Sequence, residues 1–270
     1  MFVKALPDRV TAGGVEFEIM TKGEGKPVLF LHGVLGVDAD DPLVARLAKS
    51  HKVIAASHPG FGLSSRPDHV TTIDDVVYAY LDLVEALDLR DVALVGASLG
   101  GWIAAELAVR GSNRFSSLVL IDAVGAKFGD REKREIYDIF GLANDEMPGV
   151  LFSTREAGLD AMHGLRFPEL PEEASVRYAR NRETITLFGW SPTLHNPKLR
   201  HRLARVKLPT LVLWGDQDHV VGVDYGRAYA GAIAGAKFEV VSGVGHCGTF
   251  ENPDEFAKRT LAFLSAGRAR

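Results

Sequence analysis

Cysteine is almost missing from this chain of 270 residues, where Cys247 stands alone. No intrachain disulfide can form, and thiolates cannot build a metal site. An excess of positive charge is missing too: 31 Lys and Arg face 35 Asp and Glu, a formal net charge of −4. Nothing basic points to nucleic acid, and a mild negative charge speaks only to solubility. Long apolar runs are also lacking. The longest, Val92 to Val109, is broken by Ser98, three glycines and Glu106, whereas a membrane span needs about 20 mainly apolar residues. Met1 to Asp8 has no apolar stretch of the signal-peptide kind, and no Asn-x-Ser/Thr site occurs. These absences predict a cytoplasmic protein with no membrane span, no metal and no nucleic-acid partner.

What is present is apolar residue, at 46%, with 24% charged. That suits one large domain, or a domain carrying an inserted module. Val15–Met20 alternates apolar and polar residues, as a half-wet strand does. Pro27–Leu31, Lys52–Ala56, Val92–Val95, Ser117–Ile121, Thr210–Trp214 and Lys237–Val241 read as short buried strands. Between them lie helical patterns: Asp41 capping a helix to about Ser50, then Thr72–Leu87, Trp102–Ala108, Val223–Ala234 and Pro253–Ala266. Strands alternating with helices predict an α/β fold, a mostly parallel sheet covered on both faces.

The rhythm stops after Asp122. Residues 123–206 show no clear buried strand but do show helical patterns, at Arg131–Phe140 and Glu172–Thr186, broken by several prolines. A structureless loop of that length is improbable in a compact domain. The expected organisation is a core of residues 1–122 and 207–270 with a helical cap of residues 123–206 inserted in it. Within the cap, Met162, Phe167, Phe188 and Trp190 are the candidates for lining a substrate pocket, although each also suits the cap's own core.

The chemistry gathers at strand ends. Gly96-Ala97-Ser98-Leu99-Gly100 turns a strand into a helix within a few residues, so Ser98 sits at a tight corner. A serine hydroxyl is a weak nucleophile until a base takes its proton. His246, in a glycine-flanked loop after a strand, is the candidate base. The base needs an acid to orient it. Asp218 is the first choice, Asp122 a rival because it also ends a strand, and Asp216 a lesser one that suits a turn. The backbone amides of Leu99 and Val34 are candidate donors to a substrate oxyanion. His32 and His58 read as loop-holding residues, Trp102 as packing under the corner, and Cys247 as a small apolar group.

Taken with His32-Gly33-x-x-Gly36, His58-Pro59-Gly60-Phe61-Gly62, Gly215-x-x-Asp218 and Gly245-His246, the corner makes the chain resemble the α/β-hydrolase fold family over nearly its whole length. The resemblance implies an eight-stranded, mostly parallel sheet with an inserted helical cap. It also implies a serine mechanism through an acyl-enzyme, with no cofactor. Two departures stand out. Val221-Gly222 follows the acid where relatives often carry proline. Carbon–carbon hydrolases of the family often carry Trp after the histidine and an arginine in the cap, whereas here Cys247 follows His246 and no one arginine stands out among Arg155, Arg166, Arg177, Arg180 and Arg182. The expectation is therefore an enzyme cleaving a carboxylic ester, with a small-molecule ester-like substrate as its partner. A lactone, amide or carbon–carbon bond, perhydrolysis, and a slow-turnover small-molecule receptor remain as alternatives.

Overall fold

The computed structural model describes residues 5–130, 132–162 and 171–266. Eight strands form one sheet: β1 (Asp8–Ala12), β2 (Val15–Lys22), β3 (Pro27–Leu31), β4 (Lys52–Ala56), β5 (Val92–Ala97), β6 (Phe115–Ile121), β7 (Thr210–Gly215) and β8 (Lys237–Val241). Their spatial order is β1-β2-β4-β3-β5-β6-β7-β8. The first two strands run antiparallel to their neighbours and the other six run parallel.

The central strands feed two cores by parity. Leu94, Leu118, Leu120, Val212 and Trp214 enter one apolar cluster, while Ala93, Val95, Val119, Ile121, Leu211 and Leu213 enter the other. Successive side chains of a strand point to opposite faces, and a parallel sheet buries both. On the first face lie α2 (Ile73–Ala86), α3 (Leu99–Arg110) and α8 (Val223–Gly231); on the second lie α1 (Pro42–Leu47) and α10 (Pro253–Ala266). Local sequence fixes the helix starts. Asp41 accepts from the amides of Leu43 and Val44, with Pro42 at the first helical position, where its missing N–H costs nothing. Thr72 and Asp75 form a reciprocal capping box on α2.

Two expectations are corrected. The strand β1 is an addition: it is largely exposed, so it shows no apolar signal, yet Gly13-Gly14 closes a hairpin with Ala12 paired to Val15. The helix expected at Arg131–Phe140 does not form among the described residues 132–140. Side chains take the backbone groups instead. Asp130 accepts from the amides of Glu132 and Lys133, and Glu135 accepts from those of Phe128 and Gly129. Acidic side chains that bind nearby amides offer the chain an alternative to helix.

Between β6 and β7 the described residues hold α4 (Met147–Leu151), α5 (Arg155–Ala161), α6 (Glu172–Gly189) and α7 (Leu199–Arg202). Polar ties attach α6 to the loops after β3 and β4. Asn181 donates to Leu35 O and accepts from Gly62 N, and Thr184 donates to Gly60 O. Arg177 forms an ion pair with Glu18 of β2, both buried, at 3.1 Å.

Candidate active site

The corner after β5 is built by crowding. A Cβ on Gly96 would overlap the carbonyl of Gly100, and one on Gly100 would overlap that of Leu31. Only glycine permits so close an approach of backbones. Between them Ser98 adopts φ 52° and ψ −113°, a conformation that costs a non-glycine residue about 1–3 kcal/mol. Its amide donates to Ile121 O, and its carbonyl accepts from Trp102 and Val124. The corner is thereby sewn into both α3 and the end of β6.

From this corner Ser98 Oγ donates to His246 Nε2 at 2.7 Å. His246 Nδ1 donates to Asp218 Oδ2 at 2.8 Å, and both side chains are buried. The carboxylate can only accept, so the tautomer with hydrogen on Nδ1 follows and leaves Nε2 free to take the serine proton. Asp218 Oδ1 accepts from Val220 and Val221, which fixes its carboxylate in the loop after β7. All three residues sit beyond the carboxyl ends of parallel strands, the usual place for a site in such a sheet.

The loop after β3 presses against this group. A Cβ on Gly33 would lie 3.3 Å from Ser98 Cβ, so Val34 follows directly beside the hydroxyl. Two buried histidines hold the loop. His32 donates through Nδ1 to Gly33 O and accepts from His58 N through Nε2. His58 donates to His32 O, accepts from the Tyr80 hydroxyl, and stacks on His32 at 3.6 Å. Burial pulls the pKa of His32 down to about 4, against opposing effects of Gly33 O and Glu18. His58 is depressed further by burial and by its neighbour. Both are neutral scaffolding.

The loop carrying His246 is braced from the inserted segment. Cys247 N donates to Leu151 O at 2.7 Å. Glu251, in α9 (Gly248–Glu251), accepts from Gly245 N at 2.7 Å and from both the amide and the hydroxyl of Ser153. Sequence reading missed Glu251; its only signal is an acid five residues after a candidate base.

Of the rival acids, Asp122 accepts from Gly215 N while its second oxygen is buried without a partner. Burial, and then the charges of Asp218 and Glu251, push its pKa well above the carboxylate range. Asp216 is a turn residue, accepting from Ser242 Oγ and Gly243 N. Burial and three nearby carboxyl groups raise the Cys247 thiol pKa, so it stays protonated and unreactive.

A cavity of about 30 Å³ lies beside Ser98 and His246, room for about one water molecule. Besides the loop residues, Phe30, Asp41, Thr249 and Phe250 line it. Three of the four expected pocket residues stand elsewhere. Met162 and Phe188 are buried in the main apolar cluster, and Trp190 is 57% exposed, edge-on to Phe140. Helical spacing finds apolar side chains but not which neighbour they meet. Phe167 lies outside the described residues, as does Arg166. Of the other arginines that were weighed, Arg177 pairs with Glu18, Arg180 with Ser64 O and Arg182 with Ile139 O. Among the described residues, no group of three or more His, Cys, Asp or Glu could hold a metal ion, and no helix is long and apolar enough to cross a membrane.

A mostly parallel eight-stranded sheet with hydroxyl, imidazole and carboxylate at its carboxyl edge defines a hydrolase-fold enzyme. The family model for the alpha/beta hydrolase fold matches residues 26–253, and the chain belongs to that family. Among its relatives is the 2-hydroxy-6-oxo-6-(2'-aminophenyl)hexa-2,4-dienoic acid hydrolase of Metapseudomonas resinovorans. It is 28% identical, over 95% of this chain and 90% of the relative. The non-heme chloroperoxidase CPO-A1 of Kitasatospora aureofaciens is 31% identical, over 89% and 92%. The crystal structure of a serine hydrolase involved in carbazole degradation superposes with a TM-score of 0.75 at 26% identity, covering 97% of this chain and 99% of that one.

Proposed function

We propose that the protein is a serine hydrolase that cleaves a small carboxylic ester through an acyl-enzyme. The observation that carries this reading is the unbroken relay from Ser98 Oγ to His246 Nε2 and from His246 Nδ1 to Asp218, at 2.7 and 2.8 Å. Ser98 Oγ attacks the ester carbonyl while His246 Nε2 takes its proton. The Leu99 and Val34 amides receive the oxyanion, and Asp218 stabilises the imidazolium. The tetrahedral intermediate collapses, and the alcohol leaves with the proton from His246. A water molecule, deprotonated by the same imidazole, then attacks the acyl carbonyl and releases the acid and Ser98. On this reading residues 123–206 form a cap, and the side chains around the narrow cavity give way to admit a substrate.

A second reading, cleavage of a carbon–carbon bond next to a carbonyl, is favoured by the 28% identity to a dienoic acid hydrolase. Against it stand Cys247 after the base and the absence of any Lys or Arg from the described cavity lining. Hydrolysis of p-nitrophenyl butyrate tests the first reading. Turnover should vanish in Ser98→Ala and after treatment with a fluorophosphonate that labels Ser98. Undiminished turnover in Ser98→Ala would overturn the mechanism.

A further inference from the structure

The hydrolytic relay leaves one charged group of the site unused. Asp41 lies at the end of the loop after β3, and its Oδ1 accepts from both Leu43 N and Val44 N at 3.0 and 2.9 Å. Those two bonds complete the helix cap and leave Oδ2 without a protein donor among the described residues. The residue is 4% exposed, yet it lines the cavity shared by Ser98 and His246. Oδ2 takes no hydrogen bond from a described residue, and the cavity that Asp41 lines is where a donor can arrive. No Lys or Arg among the described residues lines that cavity. The charged groups that act on Asp41 are Asp38 and Lys22, and the amine of Lys22 is engaged by Ala39 O. The cavity's other titratable groups are His32, His246 and Cys247.

We propose that Asp41 sets the substrate class of this site: esters whose cavity-bound fragment carries a hydrogen-bond donor, an ammonium or a hydroxyl group, and not a carboxylate. The proposal rests on the ester-hydrolase reading of Ser98. An ammonium or hydroxyl supplies a donor to Oδ2, and the ammonium adds a charge-assisted bond. A carboxylate meets a like charge with no cation beside it. The relative named as a dienoic acid hydrolase acts on an acid by its name; this cavity offers such a group no counter-charge. Burial raises the Asp41 pKa to about 6, with Asp38 acting in the same direction and the two amides and Lys22 opposing it. The carboxylate is therefore charged at pH 7.5 and mostly neutral at pH 5.

Three esters of matched length test this: methyl β-alaninate, methyl butanoate and monomethyl succinate, ending in ammonium, methyl and carboxylate. Each is titrated by NMR into full-length Ser98→Ala protein at pH 7.5. The ammonium ester should bind at least about tenfold more tightly than the carboxylate ester, the scale of one charge-assisted hydrogen bond. Adding Asp41→Asn, which keeps the capping oxygen, should close that gap, as should pH 5 in the Asp41 protein. Asp41→Ser, which also retains a cap, serves if the asparagine variant does not fold. Equal affinities, a gap that survives both substitutions, or binding of none of the three esters overturns the proposal. Turnover of the same esters by the intact enzyme separates the two readings. A binding preference without turnover overturns the ester reading alone, and turnover without preference overturns the role of Asp41 alone.

Discussion

The sheet and the segment inserted between β6 and β7 meet the site in different ways. Around Ser98 the structure is enforced by sterics and apolar packing: Gly96 and Gly100 admit no side chain, and every strand from β5 to β7 is divided between two apolar clusters. The inserted segment adds apolar side chains of its own to the first cluster, among them Met147, Leu151 and Phe188, and meets the loops of the site through a few polar contacts. Arg177 meets Glu18, Asn181 and Thr184 meet the loops after β3 and β4, and Ser153 and Leu151 meet the loop of His246. The difference teaches that the triad and the inserted segment are separately adjustable. The sheet fixes where Ser98, Asp218 and His246 lie, while single hydrogen-bonding residues tie the inserted segment to their loops.

Substitutions can break this comparison one side at a time. The largest effect belongs to the sheet side. Asp218→Asn should lower kcat by on the order of 10⁴, the cost of losing the orienting carboxylate in a comparable triad. Asp122→Asn, which keeps an acceptor for Gly215 N, should stay within about threefold of the parent. Steady-state kinetics on p-nitrophenyl butyrate distinguishes the two, and a reversed order would transfer the acid's role to Asp122.

Next comes the fastening of α6. Arg177→Met strands Glu18 in the interior with only hydrogen bonds from Leu6, Ser57 and Leu63. Breaking a buried pair in this way costs about 3–5 kcal/mol, readable as a lower urea midpoint. Early proteolysis within residues 123–206 would show that the inserted segment loosens first.

Acid should act in the same direction and more gradually. Burial alone would raise the pKa of Glu18. The bonds from Leu63, Ser57 and Leu6, with the Arg177 charge, outweigh burial and hold it below the usual value. Stability from Glu18 is therefore present above the unfolded-state value near 4.5 and is lost as pH falls through its lower folded value. His32, depressed from 6.5 to about 4, binds its proton sooner in the unfolded chain, so stability also falls as pH drops from about 6.5 to 4. Asp41 and Asp122, whose pKa values are raised, act in the opposite direction, so the test is a difference: the fall in urea midpoint between about pH 7 and 3.5 should be smaller in Glu18→Gln and in His32→Gln than in the parent. An equal fall in all three would contradict both assignments.

The smallest effect is expected at Glu251→Gln. It keeps the side chain's shape but weakens its bonds to Gly245 and Ser153. A fall in kcat of about threefold to tenfold, with little change in KM, would mark a residue that positions His246. An equal loss of stability with unchanged kcat would mark a purely structural one.

How much of this was legible in the sequence follows the same division. Ser98, Asp218 and His246 could be picked out because each follows a short apolar strand, and the corner at 96–100 tolerates almost no other local sequence. The parallel sheet was legible from the alternation of strands and helices, apart from β1, whose exposed residues carry no apolar signal. In the inserted segment the helix read at 172–186 lies within α6, but the rest was not legible. Whether residues 132–140 form helix turns on Asp130 and Glu135 capturing nearby amides. Whether Phe188 or Asp41 reaches the cavity depends on neighbours far away in the chain. Asp41 could be read as a helix cap from its local setting; its place beside Ser98 required the fold of the β3 loop.

One consequence of the corner remains. Ser98 is held at φ 52°, where glycine would rest without strain, so the chain is less stable for carrying a side chain there. Ser98→Gly should therefore yield a protein that melts at a higher temperature and does nothing. A search for thermostable variants that ignored activity would find its improvement at the residue the protein can least spare.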